Sequence, residues 1–263
     1  MTAPLFSEDT YTTPPGRESL LHRLLLRGRV YYICRFLYIV FRYWHYVRTR
    51  GLDFDIWRSS SYRVFQIMEA CGGRFHISGL DNIRTEDRPV VFIANHMSTM
   101  ETVVLPCIIN PYKNPVFVIK EQLQKIPVFG VYVRDCIAVS RNSPSEDFKQ
   151  VMSQGTAALA LGKSIIIFPQ STRMATIDPE KFNTLGVKLA RRAQVPVIPL
   201  ALKTDFWGTG SLIKDFGPIN HKNPIGIAFG KPMTINGSGK KEHVQITAFI
   251  QEQLGRWEKD SDQ

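Results

Sequence analysis

From residue 74 onward, short apolar runs rich in β-branched residues alternate with longer stretches of helical period. That alternation restricts the fold more than any other property of the chain. The runs predict strands at 74–78, 90–94, 116–119, 137–139, 164–168, 197–201 and 225–229. The intervening stretches predict helices at 99–109, 121–129, 145–161, 184–193 and 242–254. Strands separated by helices imply an α/β fold with a mostly parallel β-sheet flanked by helices. No internal repeat is evident.

The first 72 residues have a different texture. Residues 1–19 are polar and contain Pro14-Pro15-Gly16, which predicts a disordered tail and no cleavable signal peptide. Residues 20–72 read as a pair of helices, about 29–50 and 56–70, the second stopped by Cys71-Gly72-Gly73. Residues 73–263 form the α/β domain. Between Arg17 and Arg50 stand eight arginines against one acid, Glu18, which supplies most of the net charge of +10. Interleaved with them are Tyr31, Tyr32, Phe36, Tyr38, Phe41, Tyr43, Trp44 and Tyr46. Rings beside cations suit the headgroup region of an anionic membrane. The other reading packs both helices on the main domain with a solvated arginine face. Membrane docking is preferred because the aromatics are too evenly spread for one buried stripe.

No transmembrane helix is expected, because arginines cut the stretch from 20 to 47 into runs of about five or six residues, against the roughly 20 that a span requires. The expected location is peripheral or monotopic at the cytoplasmic face of a membrane. Cys34, Cys71, Cys107 and Cys136 have neither metal-ligand nor redox spacing and read as reduced thiols, so no metal site is expected. Nucleic acid is not an expected partner, since no recognised nucleic-acid module accompanies the basic arm. A serine hydrolase is disfavoured by the lack of a Gly-x-Ser-x-Gly elbow.

Chemistry concentrates where the strands end. The run Val90-Val91-Phe92-Ile93-Ala94 delivers Asn95 and His96, and Glu101 follows five positions after the histidine. Histidine moves protons near neutral pH, and a carboxylate can hold it in one tautomer. Ser98 and Glu101 also satisfy a capping-box pattern, and the two readings are compatible. On the residues alone, His96 is a proton carrier or a satisfied structural histidine. Other strand ends deliver Lys120, then Ser140 and Arg141, then Pro169-Gln170-Ser171-Thr172-Arg173. In a parallel sheet those ends share one rim, so a base, an acid and three cations surround one crevice suited to a phosphate.

These residues resemble the 1-acylglycerol-3-phosphate acyltransferases. Asn95-His96-x-Ser98-x-x-Glu101 is similar to that family's first block, a histidine and an acid separated by four residues. Lys120-x-x-Leu123-x-x-x-Pro127-x-x-Gly130 resembles its second block and leads to Arg141. Residues 168–173 resemble Phe-Pro-Glu-Gly-Thr-Arg, and residues 195–201 resemble the proline-bracketed fourth block. An N-terminal two-helix membrane-docking element also occurs in the family.

The resemblance implies an enzyme of phospholipid biosynthesis that transfers an acyl group from an acyl thioester to the free hydroxyl of a lysophospholipid. The thioester, acyl-CoA or acyl carrier protein, is a co-substrate, and no cofactor is implied. His96 is then the general base and Glu101 its orienting acid. Lys120, Arg141, Gln170, Ser171, Thr172 and Arg173 bind the acceptor, and Leu123, Pro127, Phe129 and Gly130 wall an acyl-chain tunnel. Three positions depart from the commoner pattern: Glu101 stands for aspartate, Gln170 for glutamate and Ser171 for glycine. The nearest rivals are a lipid A late acyltransferase, a phospholipid–lysophospholipid transacylase and a non-catalytic membrane scaffold.

Overall fold

A computed structural model of the chain describes residues 6–51, 53–170, 172–211 and 215–261. The strands are β1 Tyr11–Thr12, β2 Phe75–Ser78, β3 Val91–Ala94, β4 Asn114–Lys120, β5 Ile137–Val139, β6 Lys163–Ile167, β7 Val197–Lys203 and β8 Ile225–Phe229. The helices are α1 Leu20–Leu24, α2 Arg29–Arg50, α3 Phe54–Ala70, α4 Leu80–Arg84, α5 Met100–Ile109, α6 Glu121–Gln124, α7 Pro144–Ala160, α8 Leu185–Ala193 and α9 Lys240–Ser261. The sheet runs in the order β1-β2-β8-β7-β3-β6-β4-β5. Strands β3, β4, β5, β6 and β7 are mutually parallel, whereas β8 is antiparallel to β7 and carries β2 parallel to itself. The expected mostly parallel α/β sheet is therefore present, with one reversed edge.

Strand alternation sorts the core into two layers. Phe92, Ile166, Leu200 and Leu202 pack with α2, α3 and α5 on one face. Val91, Ile93, Ile165, Ile167 and Ala201 pack with α7, α8 and α9 on the other. All four residues of β3 are buried, as expected of a central strand covered on both faces. Burying a side chain such as Phe92 or Ile93 stabilises the fold by about 1.5–3 kcal/mol.

The N-terminal segment departs from expectation in a way the sheet explains. Residues 6–19, expected as part of a disordered tail, lie along the edge of the sheet, where Tyr11–Thr12 pairs antiparallel with β2. Phe6 is buried against Tyr11 and Phe65, with ring centroids 4.9 and 5.5 Å away. Tyr11 donates to Glu69 Oε1 at 2.7 Å. The signal missing from the sequence is tertiary: a two-residue strand has no period of its own.

Helix α3 starts where the Asp53 side chain accepts from Ile56 N, and it stops at Gly72, whose φ of +82° is unfavourable for any residue with a Cβ. Helix α2 is not a separate arm, since Tyr32, Phe36 and Ile39 are buried in the core cluster of the domain. Its other face exposes Val30, Tyr38, Phe41 and Tyr46, and α1 with the turn after it exposes leucines up to Leu26 at 91%. The even spread of aromatics along α2 thus serves two faces, one packed and one open. Arg23 and Arg27 both hold Glu18, whose carboxyl is driven down to about 2 chiefly by the Arg27 guanidinium. Among the described residues, no helix is long and apolar enough to cross a membrane.

The helix expected over 121–129 closes after Gln124. Pro127 disfavours helical backbone at Ile126, and the chain turns through Val128 at φ +69° into a short 3-10 turn at Gly130–Tyr132.

Candidate active site

The C-terminal ends of β3, β6 and β7 meet around His96. Asn95 joins β3 to β7 beyond the backbone ladder: its amide donates to Leu202 O at 2.7 Å and accepts from Leu202 N at 2.8 Å. This reciprocal pair fixes the direction in which the chain leaves β3. Gln170 accepts from His96 N at 2.8 Å, and His96 O accepts from Met174 N at 2.9 Å. The imidazole lies flat on the Phe168 ring, with centroids 4.4 Å apart and planes inclined by 23°.

Glu101 is buried completely and gathers four polar partners. Its Oε2 lies 2.5 Å from His96 Nδ1. Its Oε1 accepts from Met97 N at 2.7 Å, Ser98 N at 3.0 Å and the Thr204 hydroxyl at 2.6 Å. The bond from Ser98 N is the glutamate limb of a capping box. Ser98 Oγ accepts from Met100 N instead of completing the box. One carboxylate therefore closes the start of α5 and grips the imidazole, so the two readings of Ser98 and Glu101 hold together. Such a fully bonded carboxylate fixes Nδ1 as the protonated nitrogen and leaves Nε2 to take a proton. The histidine side chain retains 15% exposure.

The remaining predicted residues divide. Arg173 reaches the site and pairs with Asp215 Oδ1 at 2.8 Å. Thr172 is exposed beside it, and Ser171 lies outside the described residues. Gln170 was expected on the acceptor, but it is buried, with Oε1 on His96 N and Nε2 donating to Thr176 O. That placement ties the histidine backbone to the loop at 172–176.

Lys120 ends β4 and Arg141 follows β5, both exposed on the rim shared by the parallel strands. Asp147 shapes the latter turn by accepting from Ser140 N at 2.9 Å and Arg141 N at 2.8 Å, which holds Arg141 at φ +62°. Crowding by protein atoms lowers the Arg141 guanidinium below its ordinary range, opposed by Asp147.

Of the four expected tunnel residues, Leu123 and Phe129 are half-buried against the α2 layer, Gly130 is buried and Pro127 is exposed. A Cβ at Gly130 would stand 2.1 Å from Gln124 O, so only glycine fits that close approach. A cavity of about 340 Å³ lined by Pro199, Met233, Phe249 and Arg256 belongs to the α9 side, away from the imidazole. Among the described residues no cluster of histidine, cysteine and acid side chains has the arrangement of a metal site.

Thr204, Asp215 and the stacking role of Phe168 were not anticipated. Thr204 sits 103 residues from Glu101 and Asp215 sits 116 residues from Thr99, with no local pattern to announce them.

The acyltransferase family pattern matches residues 74–203, which contain His96 and Glu101 and stop one residue short of Thr204. A 1-acyl-sn-glycerol-3-phosphate acyltransferase of Pseudomonas aeruginosa is 31% identical over 188 residues, covering 70% of this chain and 69% of that protein. This chain belongs to the 1-acylglycerol-3-phosphate acyltransferase family. It is an acyltransferase, which sets aside a non-catalytic scaffold. A Chlamydomonas reinhardtii protein named as the same activity is 28% identical, covering 62% of this chain and 48% of its own length. The crystal structure of the 1-acyl-sn-glycerophosphate (LPA) acyltransferase PlsC from Thermotoga maritima superposes with a TM-score of 0.61, covering 90% of this acyltransferase and 96% of that chain. At 21% identity that likeness establishes the common fold.

Proposed function

We propose that this acyltransferase moves an acyl group from acyl-CoA or acyl carrier protein to the free hydroxyl of 1-acylglycerol-3-phosphate. The observation that carries the reading is the His96–Glu101 pair, with one ring nitrogen locked on a buried carboxylate and the other left for substrate. An aliphatic hydroxyl is too weak an acid to ionise at neutral pH, so its proton must leave as the oxygen attacks. His96 Nε2 takes that proton while the new C–O bond forms at the thioester carbonyl. The resulting imidazolium, stabilised by Glu101, returns the proton to the departing thiolate as the C–S bond breaks. The acceptor assignment is supported by Arg173, which adjoins the Met174 amide bonded to His96 O, and by the activity in the names of the relatives.

Purified protein given labelled acyl-CoA or acyl carrier protein and a panel of lysophospholipids should yield the diacyl phosphate monoester. Formation of another diacyl product in preference to it would overturn the acceptor assignment. Arg173→Ala should raise the KM for 1-acylglycerol-3-phosphate about tenfold, the size of one charge-assisted hydrogen bond, with little change in the donor KM. An equal rise for both substrates would argue against a phosphate role.

The reaction is proposed to occur at the cytoplasmic face of an anionic membrane, reached through the exposed leucines of residues 20–26 and the open face of α2. Leu24→Glu with Leu26→Glu should weaken co-sedimentation with anionic vesicles more than tenfold, since each buried leucine is worth about 1.5 kcal/mol or more. Its melting temperature should stay unchanged, because both side chains are exposed. Undiminished sedimentation would move the docking surface elsewhere.

A further inference from the structure

Arg173 does not wait empty for its phosphate. Asp215, on the connection between β7 and β8, places Oδ1 2.8 Å from Arg173 Nη2 and accepts the Thr99 hydroxyl through the same oxygen at 2.6 Å. Thr99 is the residue before α5, between His96 and Glu101 in the chain. A carboxylate therefore bridges Arg173 and Thr99, which lie on the two segments that adjoin the proposed base. We infer that Asp215 is a built-in competitor for the acceptor: it occupies Arg173 in the free enzyme, and the substrate phosphate displaces it. This rests on the reading of Arg173 as the phosphate-binding residue.

Three features support displacement over sharing. Asp215 engages the guanidinium through one oxygen on one nitrogen, whereas a phosphate monoester can satisfy the planar fork through two oxygens. Both anions on one cation would repel each other at short range, so the weaker contact gives way. The Arg173–Asp215 pair is also part exposed, at 28% and 41%, so solvent weakens the ion pair to be broken.

The backbone of the competitor is held firmly, while its part-exposed side chain is held through Oδ1 by Arg173 and Thr99. Trp207 is buried and donates through Nε1 to Asp215 O at 2.9 Å. Its ring meets Tyr32 and Phe36 of α2 edge-on, with centroids 4.4 and 5.6 Å apart. Phe216 packs on Phe36 as well, at 5.9 Å. The segment bearing Asp215 is thus clamped to the N-terminal helix, and a rotation of one carboxylate suffices to open the site.

The test compares Asp215→Asn with the parent in acyl transfer from acyl-CoA, with inorganic phosphate as competing inhibitor. Asparagine keeps the shape and the acceptor for Thr99 but removes the charge. The acceptor KM and the inhibition constant of phosphate should both fall about threefold to fivefold, matching a part-exposed ion pair, while the donor KM holds. Asp215→Ala should move both constants in the same direction. A rise in either constant would make Asp215 a support for Arg173, and no change would make it a bystander; both results overturn the inference. In an Arg173→Ala background the Asp215→Asn effect should vanish. If Arg173→Ala leaves the acceptor KM untouched, the phosphate reading itself fails. If Arg173→Ala raises that KM but Asp215→Asn does not lower it, only the competitor role fails.

Discussion

Replacing His96 by alanine should lower the rate of acyl transfer by about 10²–10⁴, the usual range for losing a general base. Stability should change by no more than about 1 kcal/mol, the value of one aromatic contact such as the stack on Phe168. The reasons are local. His96 is partly exposed, and the bonds that fix its position run through its backbone to Gln170 and Met174, which alanine retains. Glu101 loses one partner but keeps Met97 N, Ser98 N and the Thr204 hydroxyl. Paired measurements of steady-state rate and urea midpoint separate the outcomes. A rate loss of less than about tenfold would assign the proton transfer to another group. A stability loss well above about 1 kcal/mol, with activity falling in proportion, would make the histidine structural.

The central sheet and the His96–Glu101 pair were legible because their signals are local. Strand β3 is a short apolar run ended by a polar residue, and the pair lies within one strand-to-helix turn. The strand ends that carry the cations were legible, but not what each side chain does. Arg173 enters the site, and Gln170 turns inward to hold a backbone, although both come from one block of six residues. Nothing in a single sequence distinguishes an amide that binds substrate from one that braces a loop. What was missed is what tertiary structure alone supplies. Tyr11–Thr12 becomes a strand because β2 presents an edge to it. Thr204 and Asp215 acquire their parts because β7 ends beside β3 and the following segment folds back under α2.

The same geometry makes Glu101 the residue whose loss should cost both chemistry and stability, in contrast to His96. Glu101→Gln keeps the volume but replaces one oxygen with an NH₂ group, which cannot accept from every donor now converging on the carboxylate. If the amide oxygen stays on Met97 N, Ser98 N and Thr204, its nitrogen faces His96 Nδ1 and selects the tautomer protonated at Nε2. That ring can no longer take a proton from the acceptor. The expected rate loss is about 10⁴, as when an orienting carboxylate becomes an amide in a serine protease triad. Glu101→Ala removes the acceptor outright and strands the backbone donors of Met97 and Ser98, which lie at the buried start of α5. At about 1–3 kcal/mol for each of these two unsatisfied donors, the alanine variant should lose about 2–6 kcal/mol, readable as a lowered urea midpoint at constant slope. The histidine variant thus loses activity alone, whereas the alanine variant at Glu101 loses both. That asymmetry follows from where the four bonds of Glu101 go: one to the imidazole and three to the fold that holds it. Equal stability for the two alanine variants would mean that the carboxylate serves the imidazole only, and that the start of α5 is held by other groups.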